Sequence, residues 1–334
     1  MATIKEIAAM AGVSPSTVSI VANGRSEERH IPLVTQEKVL DAMRKLHYTP
    51  NIASRKLRQK RSDTLTISVF WASDFRVTMM IRFLRGLRKA AFALGEAQRV
   101  ELMFHFYEND FLKDSLQSIE MSNAAIICNA SEKDLGFLES HRFITPIILY
   151  NRPSETYCCV RVDNWKIGEI AADILAKRGH KKAVILTAES VFSGMLLRRD
   201  SFAERISRNG MELVEFNHEN SMAGGYAGGL EIVRSAPDAD CLFCASDYMA
   251  IGALKALLRS GVRIPEDMEL ISVGNADSDL EEYAAVSLSV VEVPIEKMGA
   301  ACFNEAMKVI SGEIQPPYTE MVELQYICRE SCGD

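Results

Sequence analysis

Ser14, Ser16, Thr17, Ser19 and Asn23 crowd short, uncharged hydrogen-bonding side chains into ten residues near the N-terminus. Such groups suit close approach to the phosphates and base edges of a nucleic acid. Their neighbours say how they are held. Ile4, Ile7, Ala8 and Ala11 recur at one face of a 3.6-residue helix, with Thr3 before them as a hydroxyl cap. Gly12 follows as a stop, then Ser14 and Pro15 as a fresh cap and first helical residue. Val18, Val21 and Ala22 give the second helix its own apolar stripe. The spacing predicts a helix-turn-helix within residues 3–23.

Other reactive residue types form no competing arrangement. The chain has no G-x-S-x-G elbow and no phosphate loop of Walker type, and no acid–base pair stands at an interpretable site. Its six histidines are scattered, without H-E-x-x-H or comparable metal spacing. Cys241 and Cys244 match C-x-x-C, but no second pair accompanies them, and in a strand their side chains point to opposite faces. The eight cysteines, at 128, 158, 159, 241, 244, 302, 328 and 332, lie mostly in apolar segments and read as reduced and buried. The run GGYAGG at 224–229 resembles a phosphate loop, yet it follows no recognisable strand and reads as a loose helix start. No enzyme, cofactor or metal is expected.

Charge and rhythm then divide the chain. Residues 1–60 hold ten Lys and Arg against five Asp and Glu, net +5, whereas the whole 334-residue chain carries −7 and the remainder therefore −12. A basic head on an acidic body fits a nucleic-acid module joined to something else. Val39, Leu40, Met43 and Leu46 mark a third helix over about 33–46. Pro50 closes the head, and five of the seven residues 55–61 are basic, a composition that orders on an anionic partner. Leu57 stands alone among those charges. It suits an apolar wedge in a minor groove, or a packing contact with the body.

From Leu65 apolar strand-like runs alternate with helical ones: 65–70, 100–106, 124–130, 146–150, 183–188, 241–246 and 270–274. Near-continuous apolar strands between helices predict parallel sheets covered on both faces. Seven such units exceed one comfortable sheet, so two doubly wound subdomains follow, with ligands at the carboxyl ends of the strands. The chain shows no signal-peptide run and no window suited to a membrane span, so no membrane partner and a cytoplasmic location are expected.

These features together resemble the Lac/Gal repressor family of bacterial transcription regulators. The head carries IKEIAAMAGVS-x-STVS-x-V-x-N, VLDAMRKLHYTPN and R-x-LR; the body carries VDNWKIG (162–168), RGHKKAVIL (178–186), SDYMAIGALKALLRSGVRIPEDMELISVG (246–274), VPIEKMG (293–299) and LQYICRES (324–331). The resemblance spans the whole chain. It implies a three-helix head (1–48), a hinge helix (49–62) and a two-subdomain α/β body like a periplasmic binding protein (63–334). The N-subdomain would take 63–160 plus 291–320, and the C-subdomain 161–290 plus 321–334. It further implies a homodimer on double-stranded operator DNA whose affinity answers to a small-molecule effector, most simply a sugar from a carbohydrate-utilisation pathway. A nucleoside or sugar acid is the alternative effector. A two-lobed solute-binding protein is the rival from another class, and the basic head argues against it.

The resemblance also assigns roles. Pro15, Ser16 and Ile20 would read bases, with Ile20 limited to packing on a thymine methyl. Thr17, Ser19 and Asn23 would hold phosphates, and Thr3 and Ser14 would be further DNA-binding residues. Asn51, Ser54, Arg55, Leu57 and Arg58 would form the DNA-contacting hinge, Ser54 standing where alanine is usual. For the effector, Arg198 in LLRRDSF takes the place of a central arginine, whose planar fork grips hydroxyls or a carboxylate. Asn151 stands where aspartate is common, and Ser246 and Asp277 join it. Ala276 replaces an expected aspartate, and Asn220 falls where an aromatic often stacks on a sugar ring. Trp71 or Phe75 is left to supply that stacking surface.

Overall fold

The computed structural model describes residues 3–22, 26, 29–46, 64–74, 77–95, 98–188, 193–274 and 278–333. The head holds α1 (Ile4–Ala11), α2 (Pro15–Ala22) and α3 (Leu33–Lys45). Ile7, Val18, Val39 and Ala42 are almost fully buried at their junction, and Ala8, Val21, Ala22 and Met43 complete the core. The apolar stripes expected on each helix are the faces that meet. The hinge expected at 49–62 lies outside the described residues.

The body is built on two six-stranded sheets. The first contains β1 (Thr64–Ala72), β2 (Arg99–Tyr107), β3 (Ala124–Cys128), β4 (Ile147–Tyr150), β5 (Cys158–Arg161) and, after the second sheet in sequence, β11 (Tyr318–Met321), in the order β2-β1-β3-β4-β5-β11. The second holds β6 (Lys182–Thr187), β7 (Glu212–Asn217), β8 (Cys241–Cys244), β9 (Glu269–Gly274), β10 (Ser289–Glu292) and β12 (Gln325–Ile327), in the order β7-β6-β8-β9-β10-β12. Pairing is parallel from β2 through β1 and β3 to β4, and from β7 through β6, β8 and β9 to β10; β12 runs antiparallel on β10.

Between strands run α4 (Val77–Ala93), α5 (Leu112–Ser115), α6 (Glu132–Ser140), α7 (Asn164–Lys177), α8 (Ser193–Arg208), α9 (Met222–Ser235), α10 (Asp247–Arg259), α11 (Ser278–Glu282) and α12 (Ile295–Ser311). Helices over both faces explain why the central strands β3, β4 and β8 are buried at every residue. Phe70, Ile127 and Leu149 anchor one core; Leu186, Leu242, Met249 and Leu270 anchor the other.

Contacts divide the chain into two compact units. One comprises Met1–Asp74, Ala90–Cys159 and Cys302–Tyr318; the other comprises Phe75–Lys89, Val160–Ala301 and Thr319–Asp334. The GGYAGG run needs a correction. A strand does precede it: β7 ends at Asn217, and its half-exposed sequence ELVEFN hides it from an apolar-run reading. The run lies inside α9, capped by Ser221, whose hydroxyl accepts from the Gly224 amide. Its glycines serve packing. A methyl on Gly225 would stand 2.1 Å from the Met249 carbonyl oxygen, and one on Gly252 of α10 would stand 2.0 Å from that of Met222. The α9–α10 crossing is thus too close for any side chain at either point.

Candidate functional site: the helix-turn-helix face and the strand-end residues

The head positions its polar residues through caps. Thr3 Oγ1 accepts from the Glu6 amide at 3.3 Å, and Glu6 Oε2 accepts from the Thr3 amide at 2.6 Å, a reciprocal capping box. The Thr3 amide first, and then the Thr3 hydroxyl donating to the same Oε2 at 3.0 Å, hold the Glu6 carboxyl below its ordinary pKa. Gly12 takes φ +66°, the left-handed turn that ends α1. Ser14 Oγ then accepts from the Thr17 amide at 3.0 Å and lies 2.9 Å from Thr17 Oγ1, so Ser14 caps α2 as its position before Pro15 suggests.

With Val18, Val21 and Ala22 turned into the core, the rest of α2 faces outward. Ser14, Pro15 and Ser16 are exposed, and Thr17, Ser19 and Ile20 are half-buried. That face carries hydroxyls and apolar methyls without a charge, which suits a groove floor more than a protein partner. Asn23 and the hinge residues Asn51, Ser54, Arg55, Leu57 and Arg58 lie outside the described residues, as do Phe75 and Asp277.

In the second unit, Arg198 sits on α8, 7% exposed, and donates from Nε to Asn164 Oδ1 at 2.9 Å. Asn164 opens α7, whose cap is Asp163, accepting from the amides of Trp165 and Lys166. Gly168 lets α7 and α8 approach: a methyl there would stand 2.2 Å from the Arg198 carbonyl oxygen. Ser246, cap of α10 at the carboxyl end of β8, donates to Asn220 Oδ1 at 2.6 Å. Two sequence candidates are thereby joined directly. Asp247, buried beside them in the chain, accepts from the Tyr248 amide.

In the first unit, the carboxyl ends of β1, β3 and β4 carry Trp71, Asn129 and Asn151. Trp71 is 1% exposed and stacks on Tyr150 with ring centroids 6.1 Å apart. Asn129 and Asn151 both adopt left-handed backbone, φ +64° and +53°. Asn151 Oδ1 is buried without a hydrogen-bond partner. An unmet buried acceptor costs about 1–3 kcal/mol, which a ligand's donor can recover.

Sequence reasoning missed Asn129, Asn164 and the Glu6 half of the capping box. The last was open to it, since Thr3-x-x-Glu6 is the capping-box spacing. Asn164 gave no signal, standing 34 residues from the guanidinium it orients. Among the described residues, seven of the eight cysteines are buried and Cys328 is exposed; none is in a disulfide. Burial pushes the Cys158 and Cys332 thiols up to about 12. No described helix is long and apolar enough to cross a membrane.

A capped helix-turn-helix with an uncharged outer face, followed by two mainly parallel sheets, defines a DNA-binding regulator with a binding-protein-like body. Comparison with known proteins agrees. Residues 3–51 match the model of bacterial regulatory proteins, lacI family, and residues 172–332 match the periplasmic binding protein-like domain. A crystal structure of a LacI family transcription regulator from Clostridium acetobutylicum is similar with a TM-score of 0.74 and 32% identity, covering 79% of this chain and 99% of that one. The HTH-type transcriptional repressor PurR of Vibrio cholerae serotype O1 (strain M66-2) is 28% identical, over 94% of this chain and 93% of its own length. The transcriptional regulator CelR–cellobiose complex aligns with a TM-score of 0.68 and 25% identity over 99% of this chain and 100% of that one. The chain belongs to the lacI family of bacterial transcription regulators. It is a DNA-binding regulator of transcription and not an enzyme.

Proposed function

We propose that the chain is a cytoplasmic repressor of carbohydrate-utilisation genes, acting as a homodimer whose operator affinity is set by a small hydroxyl-rich effector. The observation that carries the effector half is the orphaned, buried Oδ1 of Asn151, paired in chemistry with a pre-oriented Arg198. A sugar hydroxyl is both donor and acceptor, so it can satisfy Asn151 Oδ1, and the Arg198 guanidinium is a donor of the same chemistry within its own unit. Ser246, Asn220, Asp277, Trp71 and Phe75 are the further candidates for its contacts.

Ser16, Thr17, Ser19 and Ile20 of α2 read and hold DNA in this proposal, and residues 49–62 order on the duplex with Leu57 as wedge. Effector binding changes operator affinity through a coupling of about 1–3 kcal/mol. The experiment is a gel shift on the gene's own promoter fragment at two salt concentrations, with and without ligand. Ligands come from a thermal-shift screen of mono- and disaccharides, nucleosides and sugar acids. Expected are steep salt dependence, preference over random duplex, and a disaccharide or monosaccharide that both raises the melting temperature and alters the shift. A melting shift confined to nucleosides or sugar acids replaces the sugar reading. No promoter preference under any condition removes the repressor reading.

A further inference from the structure

The geometry points to a zinc-class cation site in the second unit, formed by His180, Asp240 and Cys241 at the amino-terminal edge of the sheet. His180 lies just before β6, and Asp240 and Cys241 lie at the start of β8, so the site is at the end of the strand opposite Ser246. One ligand atom from each residue lies within 4.8 Å of the other two. A triangle with 4.8 Å sides has its centre about 2.8 Å from each corner, so side-chain shifts of about 0.5–0.8 Å reach the 2.0–2.3 Å of zinc bonds.

The histidine is already set for such a role. Its Nε2 is 2.8 Å from Glu269 Oε2, while its Nδ1 stands 3.6 Å from Asp240 Oδ1, longer than a hydrogen bond. A ligating histidine characteristically gives its other ring N–H to a carboxylate, which fixes ring and tautomer and raises ligand basicity. Glu269 is itself fixed, with Arg178 Nε 2.7 Å from its oxygens and the Cys332 thiol 3.4 Å from Oε2. Asp240 is held by the Lys181 and Lys182 amides at 2.8 and 3.2 Å. Its side chain is 36% exposed against 14% for His180, so a cation enters past Asp240 to the buried thiol.

One nitrogen, one carboxylate and one thiolate are the mixed set that zinc takes, with water as the fourth ligand; a hard oxygen-seeking cation such as magnesium is disfavoured by the sulfur. Burial keeps the Cys241 thiol protonated without a cation. On binding, the sulfur–metal bond replaces the S–H bond and the proton leaves to solvent, with no change of oxidation state.

The test uses full-length protein, stripped with chelator, kept reduced, and titrated with Zn2+ and Co2+. One equivalent per chain is expected by equilibrium dialysis, with a sulfur-to-cobalt charge-transfer band in the near ultraviolet. Cys241→Ala should abolish the band. Asp240→Asn, which retains an acceptor for the lysine amides, should weaken binding at least tenfold. Glu269→Gln should weaken it about ten- to a hundredfold. Cys328→Ser, which removes the exposed thiol, should change nothing. Melting curves of the metal-free variants confirm folding, and the Asp240→Asn result stands alone if Cys241→Ala is unstable. No stoichiometric binding, or a band that survives Cys241→Ala or disappears with Cys328→Ser, overturns the site and leaves a buried ion-pair cluster or an adventitious ion only.

Discussion

Arg198 points its Nε–H at Asn164 Oδ1 across 2.9 Å, and this bond between two adjacent helices fixes the plane of an almost buried guanidinium. Arg198→Ala is expected to abolish the effector response while operator affinity without ligand stays unchanged. Asn164→Ala keeps the charge and loses the orientation. Losing one charge-assisted bond of about 1.5 kcal/mol raises the half-effective effector concentration about tenfold. Anisotropy of labelled promoter DNA, titrated with the sugar giving the largest melting shift, measures both. A full response from Arg198→Ala removes this residue from the effector site.

The glycines of the α9–α10 crossing give a stability prediction. Helix-interior glycine costs about 1 kcal/mol relative to alanine, so replacing it would ordinarily stabilise. Here the added methyl meets a backbone carbonyl at 2.0–2.1 Å, which no rotamer relieves. Gly225→Ala and Gly252→Ala should therefore destabilise by about 1–3 kcal/mol despite better helix propensity. Gly136 of α6 is the control: a methyl there meets nothing within 4 Å, so Gly136→Ala should hold or raise the melting temperature. Urea midpoints of the three variants decide it, and stabilisation by Gly225→Ala would show that the crossing can open.

Much of the fold is legible in the sequence because its information is local. Each head helix shows its buried stripe and its caps within eight to thirteen residues, and every apolar run read as a strand contains one. What escapes is the periphery. β7 is an edge strand with alternate residues half-exposed, and β5, β10, β11 and β12 are only three or four residues long. The edge strands β7, β11 and β12 have exposed residues and need no continuous apolar run, whereas β5 and β10 are buried at three of four residues and escape by their shortness. Candidate-site residues were legible where type and family position coincide, as at Arg198 and Ser246. Asn220 was legible as a departure from an expected aromatic, and Asn164, the partner of Arg198, gave no signal. The gathering of His180 with Asp240 and Cys241 across some sixty residues depends on the pairing of β6 with β8, which no local spacing encodes.

The capping box makes the head sensitive to acid. Bonds from Thr3 hold the Glu6 carboxyl below its ordinary value of 4.5 in the folded head, so the unfolded chain binds the proton more readily. The box's contribution is therefore complete above pH 4.5 and disappears as pH falls through the lowered value. Amide exchange across α1 in full-length protein should show a gap between wild type and Glu6→Gln that is constant near neutrality and narrows below pH 4.5. Thr3→Ala, which removes the hydroxyl acceptor, should cost about 1 kcal/mol of α1 protection at neutral pH. A gap that widens on acidification would mean that Glu6 is destabilising as a carboxylate.

The last prediction concerns the dimer. Tyr283, just past α11, is 82% exposed on the wall of an open groove of about 500 Å3 whose apolar floor comes from Ile251, Leu254 and Leu258 of α10 with Leu280 and Ala284, and whose rim carries Lys255, Arg259 and Asp279. A tyrosine ring so presented is a ready anchor, and the groove next to it is a receptor of matching chemistry. In an interface with twofold symmetry each contact occurs twice, so each substitution counts twice. Tyr283→Asp places a charge against apolar surface in both copies. At about 2 kcal/mol per copy, the dimer dissociation constant should rise about a thousandfold. Sedimentation velocity across micromolar concentrations should then show monomer where the wild type shows dimer. Operator affinity should fall with it, because two linked heads bind with an avidity that one cannot reach. A Tyr283→Asp protein that stays dimeric would place the interface on another face, with the exposed Ile81 and Phe92 at 64% and 90% as the next residues to change.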